Sequence, residues 1–367
     1  MVPCKAVLMF LLSFVLSVAA HAADSLHPPS GFMQPPAHRV DAAKTVNCPA
    51  VPTPFTGTLD FRSKYEGSDS ARATLNPQAE AAFRDQTQNI TAMESLVSKQ
   101  VIAWARSGDP RYVACVVNAL SAWANAGALT GAAANHTGKS LRKWALASFS
   151  SAWLQLVFSP AHPLAAYAAQ QETVTRWLSQ LATLTASEWR DLPLDKINNH
   201  SYWAAWALMS TAVVTQRQDL FDSSLAIYRT AMQQVDAQGF LPNELRRRQR
   251  AFSYHNYAIQ PLVMIALFAR ANGVDVTAEN NQALQRLGAK IIASLDDPAP
   301  YAQQTGVTQD RAFLQHATNL AWLEAWCQLQ RCDTALNQRI TALRPLQNTR
   351  MGGDMTHLFA AKHDGHD

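Results

Sequence analysis

PQAEAAFRDQTQNITAMESLVSKQVIAWAR, residues 77–106, is the stretch whose reading decides the fold. Within it Ala82, Phe83, Ile90, Met93, Val97, Val101, Ile102 and Trp104 recur at helical spacing, which predicts an amphipathic helix. Working outward, the same period runs over residues 110–127, 138–158, 163–184, 197–215, 217–235, 245–271, 277–294 and 310–328, with Gly, Pro, Asn and Asp in the gaps. Period-two alternation is too weak to build a sheet, and a glycine-rich phosphate loop is missing. Consecutive helices with short connections pack as antiparallel pairs. About ten of them, without a fixed-period repeat, point to an all-α, closed or nearly closed toroid of hairpins and not to a stacked solenoid.

Composition bounds the rest. Hydrophobic residues make up 48% of the 367-residue chain and charged residues only 16%, enough apolar material for one large core. The abundance of Trp suggests a Trp-lined cleft. Lys5, the apolar run Ala6 to Ala20 and the small-residue pattern Ala20-His21-Ala22 read as a cleaved leader over residues 1–22. No later run reaches the roughly 18 apolar residues of a membrane span, so an exported, periplasmic protein without membrane insertion is expected. Residues 23–60, rich in Pro, read as an extended arm, 61–353 as the toroid domain, and 354–367 as a disordered tail.

Export recasts the cysteines. Beyond Cys4, the four residues Cys48, Cys115, Cys327 and Cys332 suggest two disulfides, with three connectivities open. Cys327–Cys332 as a local clip and Cys48–Cys115 as a staple for the arm is the favoured pairing. The spacings fit no common zinc pattern. Net charge is only +4 for the whole chain, but Arg246-Arg247-Arg248-Gln249-Arg250 is locally strongly basic. In an exported protein that cluster favours an acidic polysaccharide over nucleic acid as the polyanionic partner.

Four segments stand out. Lys64-Tyr65-Glu66-Gly67-Ser68-Asp69-Ser70-Ala71-Arg72 is polar, holds a Gly turn and precedes a helix; it reads as a loop able to close over a substrate or as an ordinary capped loop. Asn135-His136-Thr137-Gly138-Lys139-Ser140, followed by Arg142, Lys143 and Trp144, puts polar groups at a helix start, where Asn135 or Thr137 also suits a cap. Asn198-Asn199-His200-Ser201-Tyr202-Trp203 opens a very apolar helix with two amides and an imidazole; His200 and Trp203 share a face there. The alternative is a satisfied core histidine. In the fourth, Asn243 reads as an N-cap with Glu244 in the first turn. Arg247 and Arg250 then share a helix face with Tyr254, near Tyr257. A cation beside a phenol favours phenolate and lowers its pKa; the plainer reading is a solvated basic face.

Glycoside hydrolases need two carboxylates across the bond, and these clusters offer no obvious pair. Asn, His, Arg and Tyr suit removal of a proton next to a carboxylate. In a uronic acid polymer, Arg and Asn would neutralise the carboxylate at C5, a base would take the C5 proton, and an acid would protonate the departing O4. In mannuronate both atoms lie on one ring face, so one phenol serves both steps; in guluronate they lie on opposite faces, and a His takes the base role.

These four motifs closely resemble, in order, those of the alginate lyases of polysaccharide lyase family 5, in particular the periplasmic ones that accompany alginate biosynthesis. The resemblance implies an incomplete (α/α) toroid with a tunnel-like cleft and a polymannuronate substrate cut by β-elimination without metal or cofactor. It implies that Asn199 and Arg247 neutralise the carboxylate, that His200 assists or acts as base, and that Tyr254 is base and acid. Lys64 and Tyr65 would lie on a lid, Trp203 and Arg250 near the wall, and Asn135, His136, Trp144 and Tyr257 among the substrate-binding residues. The role implied is trimming or clearing alginate in the periplasm, as a monomer, with contact to the export machinery a further expectation. Two alternatives remain: an enzyme for another acidic glycan such as polyglucuronate, and an alginate-binding scaffold that has kept the cleft.

Overall fold

Asn76 starts the first long helix by accepting a hydrogen bond from the Ala79 N–H, Pro77 occupies its first position, and Gly108, in the left-handed region at φ 70°, ends it. In the computed structural model, which describes residues 25–37 and 45–360, thirteen α-helices follow one another. They are α1 (Pro77–Ser107), α2 (Pro110–Asn125), α3 (His136–Val157), α4 (Ala168–Trp189), α5 (Asn199–Thr215), α6 (Gln218–Gln234), α7 (Pro242–Leu245), α8 (Ala251–Ala271), α9 (Glu279–Ala293), α10 (Ala299–Thr305), α11 (Trp322–Leu329), α12 (Thr334–Leu343) and α13 (Met355–Phe359). The only sheet among the described residues is a hairpin of β1 (Gln347–Asn348) and β2 (Gly353–Asp354), with Gln347 opposite Asp354.

The helices form two nested rows. α1, α3, α5, α8 and α11 pack in succession as an inner row, and α2, α4, α6 and α9 pack in succession outside them. That is the toroid of hairpins the periodicity predicts. α5 lies between α3 and α8 within the inner row and touches α4 and α6 of the outer one, which explains why it is apolar on every face. The C-terminal segment bridges the ends of the inner row: β2 packs on α1, and α13 packs on α11. No helix among the described residues is long and apolar enough to cross a membrane.

Several expectations need correction. The tail was expected to be disordered from residue 354, yet Asp354 caps α13 and pairs with Arg106, and Met355, Leu358 and Phe359 are buried. Five residues are too few to show a helical period. The remainder, 361–367, lies outside the described residues, as do the leader and Cys4. The block 245–271 is not one helix: Arg248 sits at φ 51°, so the chain turns before α8 begins at Ala251. The block 310–328 is mostly two 3-10 turns before α11, and α10 and α12 were not foreseen. Most Trp residues fill the core and not the cleft; Trp123, Trp153, Trp206 and Trp322 are fully buried.

In the described part of the N-terminal segment, Leu26 is hydrogen-bonded to Gln216 and the ring of Phe32 packs against Phe268 and Phe359. Both favoured disulfides are present, Cys48–Cys115 joining the arm to α2 and Cys327–Cys332 clipping the end of α11. Farther on, the chain pairs Leu59 with Ala133. Gly138 permits this approach: a Cβ there would meet the Leu59 carbonyl oxygen at 2.0 Å. The Gly in the Gly-Lys-Ser word therefore serves packing.

Candidate active site

A cleft of about 410 Å³ opens at the N-terminal ends of α3, α5 and α8. It gathers Lys64, Tyr65, His136, Trp144, Asn199, His200, Arg247, Arg250, Tyr254 and Tyr257 from all four sequence segments. Trp203 lies in an adjoining cavity of about 300 Å³ that shares Tyr257, Asn319 and Arg350 with the first. Asn135 is not in the lining. Its side chain caps α3 through the Gly138 N–H and donates to Asp60 and the Phe61 carbonyl, so it holds the arm to the helix.

One wall is the start of α5. Asn198 caps the helix by accepting from the His200 N–H. Asn199 is buried and donates three hydrogen bonds to the Glu244 carboxyl, from its backbone N–H at 2.6 Å and from Nδ2 to both oxygens at 3.0 Å. Its Oδ1 has no partner among the described residues. Burial pushes the Glu244 pKa up to about 7, against the pull of the Asn199 hydrogen bonds and the Arg247 charge. Asn243, expected as a cap, instead donates to the carbonyls of Leu194 and Ile197. His200 is flanked by aromatic rings, with His136 at 4.5 Å and Trp144 at 5.7 Å between centroids. Its Nδ1 lies 2.9 Å from the Lys143 amine. Burial, then the Lys143 charge, holds the His200 pKa well below its ordinary value. The ring is neutral at pH 7. His136 is lowered to about 4, by partial burial first and then by Lys143, Arg72 and Lys139.

The other wall is built from phenols and cations. The Tyr65 and Tyr254 hydroxyls share a hydrogen bond of 2.5 Å. The Arg247 guanidinium lies 3.6 Å from the Tyr254 ring centroid and 5.1 Å from that of Tyr65, and Arg250 and Lys64 each lie 5.6 Å from the Tyr65 ring. The expected Arg247–Tyr254 contact is thus present, made across the turn at Arg248 and not along one helix face. Burial pushes the Tyr254 pKa up and outweighs the opposing Arg247 charge, correcting the expectation of a lowered value. For Tyr65 burial also acts upward, but the Tyr254 hydrogen bond and the charges of Lys64, Arg247 and Arg250 outweigh it, so that phenol is lowered. The cations thus favour the first ionisation of the pair on the Tyr65 oxygen, with the Tyr254 proton held in the bond between them.

Asp69 organises the loop that carries Lys64 and Tyr65. Its carboxylate accepts the N–H groups of Ala71, Ala73 and Thr74, and those bonds, with Thr74 and Ala73 foremost, hold its pKa to about 2. Arg247 ties the same loop down by donating to the Arg72 carbonyl at 2.5 Å, while its Nε has no partner among the described residues.

Sequence reasoning missed Lys143, Glu244, Asn319 and Arg350 as parts of the site. Arg350 lies 4.6 Å from the Trp144 ring and donates to the Tyr257 hydroxyl at 3.3 Å. A signal for it existed in Gly352-Gly353, which turn the chain back at φ 119° and 95°. Asn319 left none. Among the described residues no Asp or Glu lines the cleft, and no group of three or more His, Cys, Asp or Glu side chains is placed to hold a metal.

Among the described residues this helical toroid gathers phenols, cations and amides in one cleft, a lining that suits an anionic ligand. The alginate lyase family profile matches residues 60–301. An alginate lyase of Pseudomonas putida strain F1 is 51% identical over 341 residues, covering 93% of this chain and 92% of its own. One from Cobetia marina is 47% identical, covering 96% and 95%. Among solved structures, alginate lyase A1-III from Sphingomonas species A1 superposes with a TM-score of 0.72 at 24% identity, covering 87% of this chain and 88% of its own. A variant of A1-III complexed with a tetrasaccharide gives 0.75 at 23%, with the same coverage. The chain belongs to the alginate lyase family, and it is an enzyme of the polysaccharide lyase class.

Proposed function

We propose that this enzyme cuts 1,4-linked β-D-mannuronate by syn β-elimination. The observation that carries the reading is the Tyr65–Tyr254 pair, whose hydroxyls meet at 2.5 Å beside Arg247 and opposite Asn199 and His200. Two polar groups without protein partners, Arg247 Nε and Asn199 Oδ1, belong to residues that line the cleft. Together these residues bind and neutralise the uronate carboxyl, and His200 adds a neutral imidazole beside it. Across the Tyr65–Tyr254 hydrogen bond, Tyr254 passes its proton to the ionised Tyr65, and the Tyr254 oxygen so bared takes the C5 proton, the C5–H electron pair becomes the C4–C5 double bond, and the C4–O4 bond breaks. The same phenol returns the proton to O4, so no net proton is consumed. The products are a shortened chain and one with an unsaturated 4-deoxyuronate at its non-reducing end. No metal enters this scheme.

Mannuronate suits one phenol because its C5 hydrogen and O4 share a ring face. The leader motif and the disulfides support action in the periplasm, where the enzyme would trim or clear alginate. The test is ultraviolet absorbance of the conjugated uronate after the protein meets polymannuronate, polyguluronate and polyglucuronate, each with and without chelator. A chelator-resistant rise confined to polymannuronate is expected. New reducing ends without absorbance would mean hydrolysis, and unchanged chain length with retained binding would mean a scaffold.

A further inference from the structure

Behind His200 lies a fully buried lysine. Lys143, on α3, places its Nζ 2.9 Å from His200 Nδ1 and 3.2 Å from Ser140 Oγ. Ser140 Oγ is itself 3.2 Å from His200 Nδ1. Glu188, the acid whose charge reaches Lys143, is paired with Arg142, which also donates to the carbonyls of Leu129 and Gly131. Lys143 instead sits over the faces of Trp189 at 3.9 Å and Trp144 at 4.8 Å, a cradle that suits an ammonium. A buried cation with no carboxylate of its own is costly to keep, so its contact with the imidazole asks for a reason.

We infer that Lys143 is a positioning residue: by donating to Nδ1 it fixes His200 as the Nε2–H tautomer, with that proton turned to the cleft. An ammonium has donors only, and Nδ1 facing it must accept. Burial, then the Arg350 charge, pushes the lysine toward the free amine. The amine still has two N–H bonds, one for Ser140 and one for Nδ1, so it fits the tautomer that the ammonium requires. His200 Nε2 has no protein partner among the described residues, and the ring lines the cleft. In this tautomer His200 holds no lone pair toward the substrate. It gives a hydrogen bond to the uronate carboxyl and cannot take the C5 proton, which leaves that step to the phenol pair.

The kinetic part of this inference rests on the elimination reading; the tautomer does not, because it is read in resting protein. The experiment is a long-range proton–nitrogen correlation spectrum of the imidazoles in the nitrogen-15-labelled full chain, with His200 assigned by its loss in His200→Gln. The expected wild-type pattern is a protonated Nε2 and a bare Nδ1. Lys143→Met, similar in length but without a donor, should move the proton partly or wholly to Nδ1, and Lys143→Arg should restore Nε2–H. On polymannuronate, Lys143→Met should lose about 10²-fold in kcat with KM within about threefold, the scale of one donor lost from a developing oxyanion, and Lys143→Arg should recover most of it. A wild-type Nδ1–H tautomer overturns the inference. So does an activity loss in Lys143→Met with the tautomer unchanged, since that marks a merely structural lysine. Should Lys143→Met fail to fold, the wild-type tautomer decides alone.

Discussion

The two walls of the cleft are built in opposite ways. On the α5 wall Asn199 and His200, which line the cleft, each have a buried ionisable partner behind them: Glu244 behind Asn199, Lys143 behind His200. On the facing wall, Tyr65 and Tyr254 are held by each other and by two guanidiniums from the turn before α8, one of which, Arg247, is tied to a surface loop. The first wall is rigid because its partners are packed inside the toroid, where unpaired polar groups are expensive. The second keeps its charges near water and can adjust as a chain of substrate enters. Under the proposed elimination, binding geometry falls to one wall and proton transfer to the other.

The sharpest way to break that division is Tyr254→Phe. The ring and its Arg247 contact survive, while the oxygen that receives and returns the proton is gone. A residue acting as both base and acid should cost at least about 10³-fold in kcat, within the range of acid–base catalysis, with KM nearly unchanged. Steady-state absorbance kinetics on polymannuronate check this. Retention of more than a few per cent of kcat would move the proton transfer to Tyr65 or to the α5 wall.

How far each wall was legible follows from the same contrast. α5 could be read because its apolar residues run from Tyr202 to Met209 soon after Asn199 and His200, and polar groups opening such a helix stand out. The phenol wall was read in composition but not in shape. Arg247 and Tyr254 were rightly brought together, but the helix thought to join them breaks at Arg248, a non-glycine residue in the left-handed region that no local preference announces. The partners behind the α5 wall were harder still. Glu244 looked like a first-turn helix acid and Lys143 like one more cation after a cap, because burial depends on contacts from distant helices. Arg350 arrives from a segment close to the one expected to be disordered.

Glu244→Gln tests whether the α5 wall is held by a buried acid, and its effect should be read in stability against pH. Folding raises the Glu244 pKa from 4.5 to about 7. A carboxyl raised on folding stabilises most below 4.5, and this contribution is lost as pH rises through 7. Glutamine does not titrate. The stability advantage of wild type over the variant should therefore shrink across that window, by on the order of 3 kcal/mol for a fully buried group. Urea unfolding at pH values on either side of the window measures it. Parallel curves for the two proteins would mean that Glu244 is ionised throughout, and that Asn199 is clamped by an anion.

The smallest effect belongs to Lys64→Ala, which probes the adjustable wall at its edge. Lys64 lies on the loop over the cleft, 5.6 Å from the Tyr65 ring, and is the largest of the charges that lower the Tyr65 pKa. Its loss should raise KM about tenfold, roughly 1.4 kcal/mol, leave kcat at high pH within about twofold, and weaken the salt dependence of kcat/KM. There is also a sign to check. Removing a cation disfavours ionisation of the phenol pair at Tyr65, so the rising limb of the kcat/KM profile should move to higher pH. An unchanged KM would remove the loop from substrate binding. A limb that stays in place while KM rises would mean that Lys64 meets the polyanion without acting on the phenols, and that the first ionisation of the pair is governed by Arg247 and Arg250 alone.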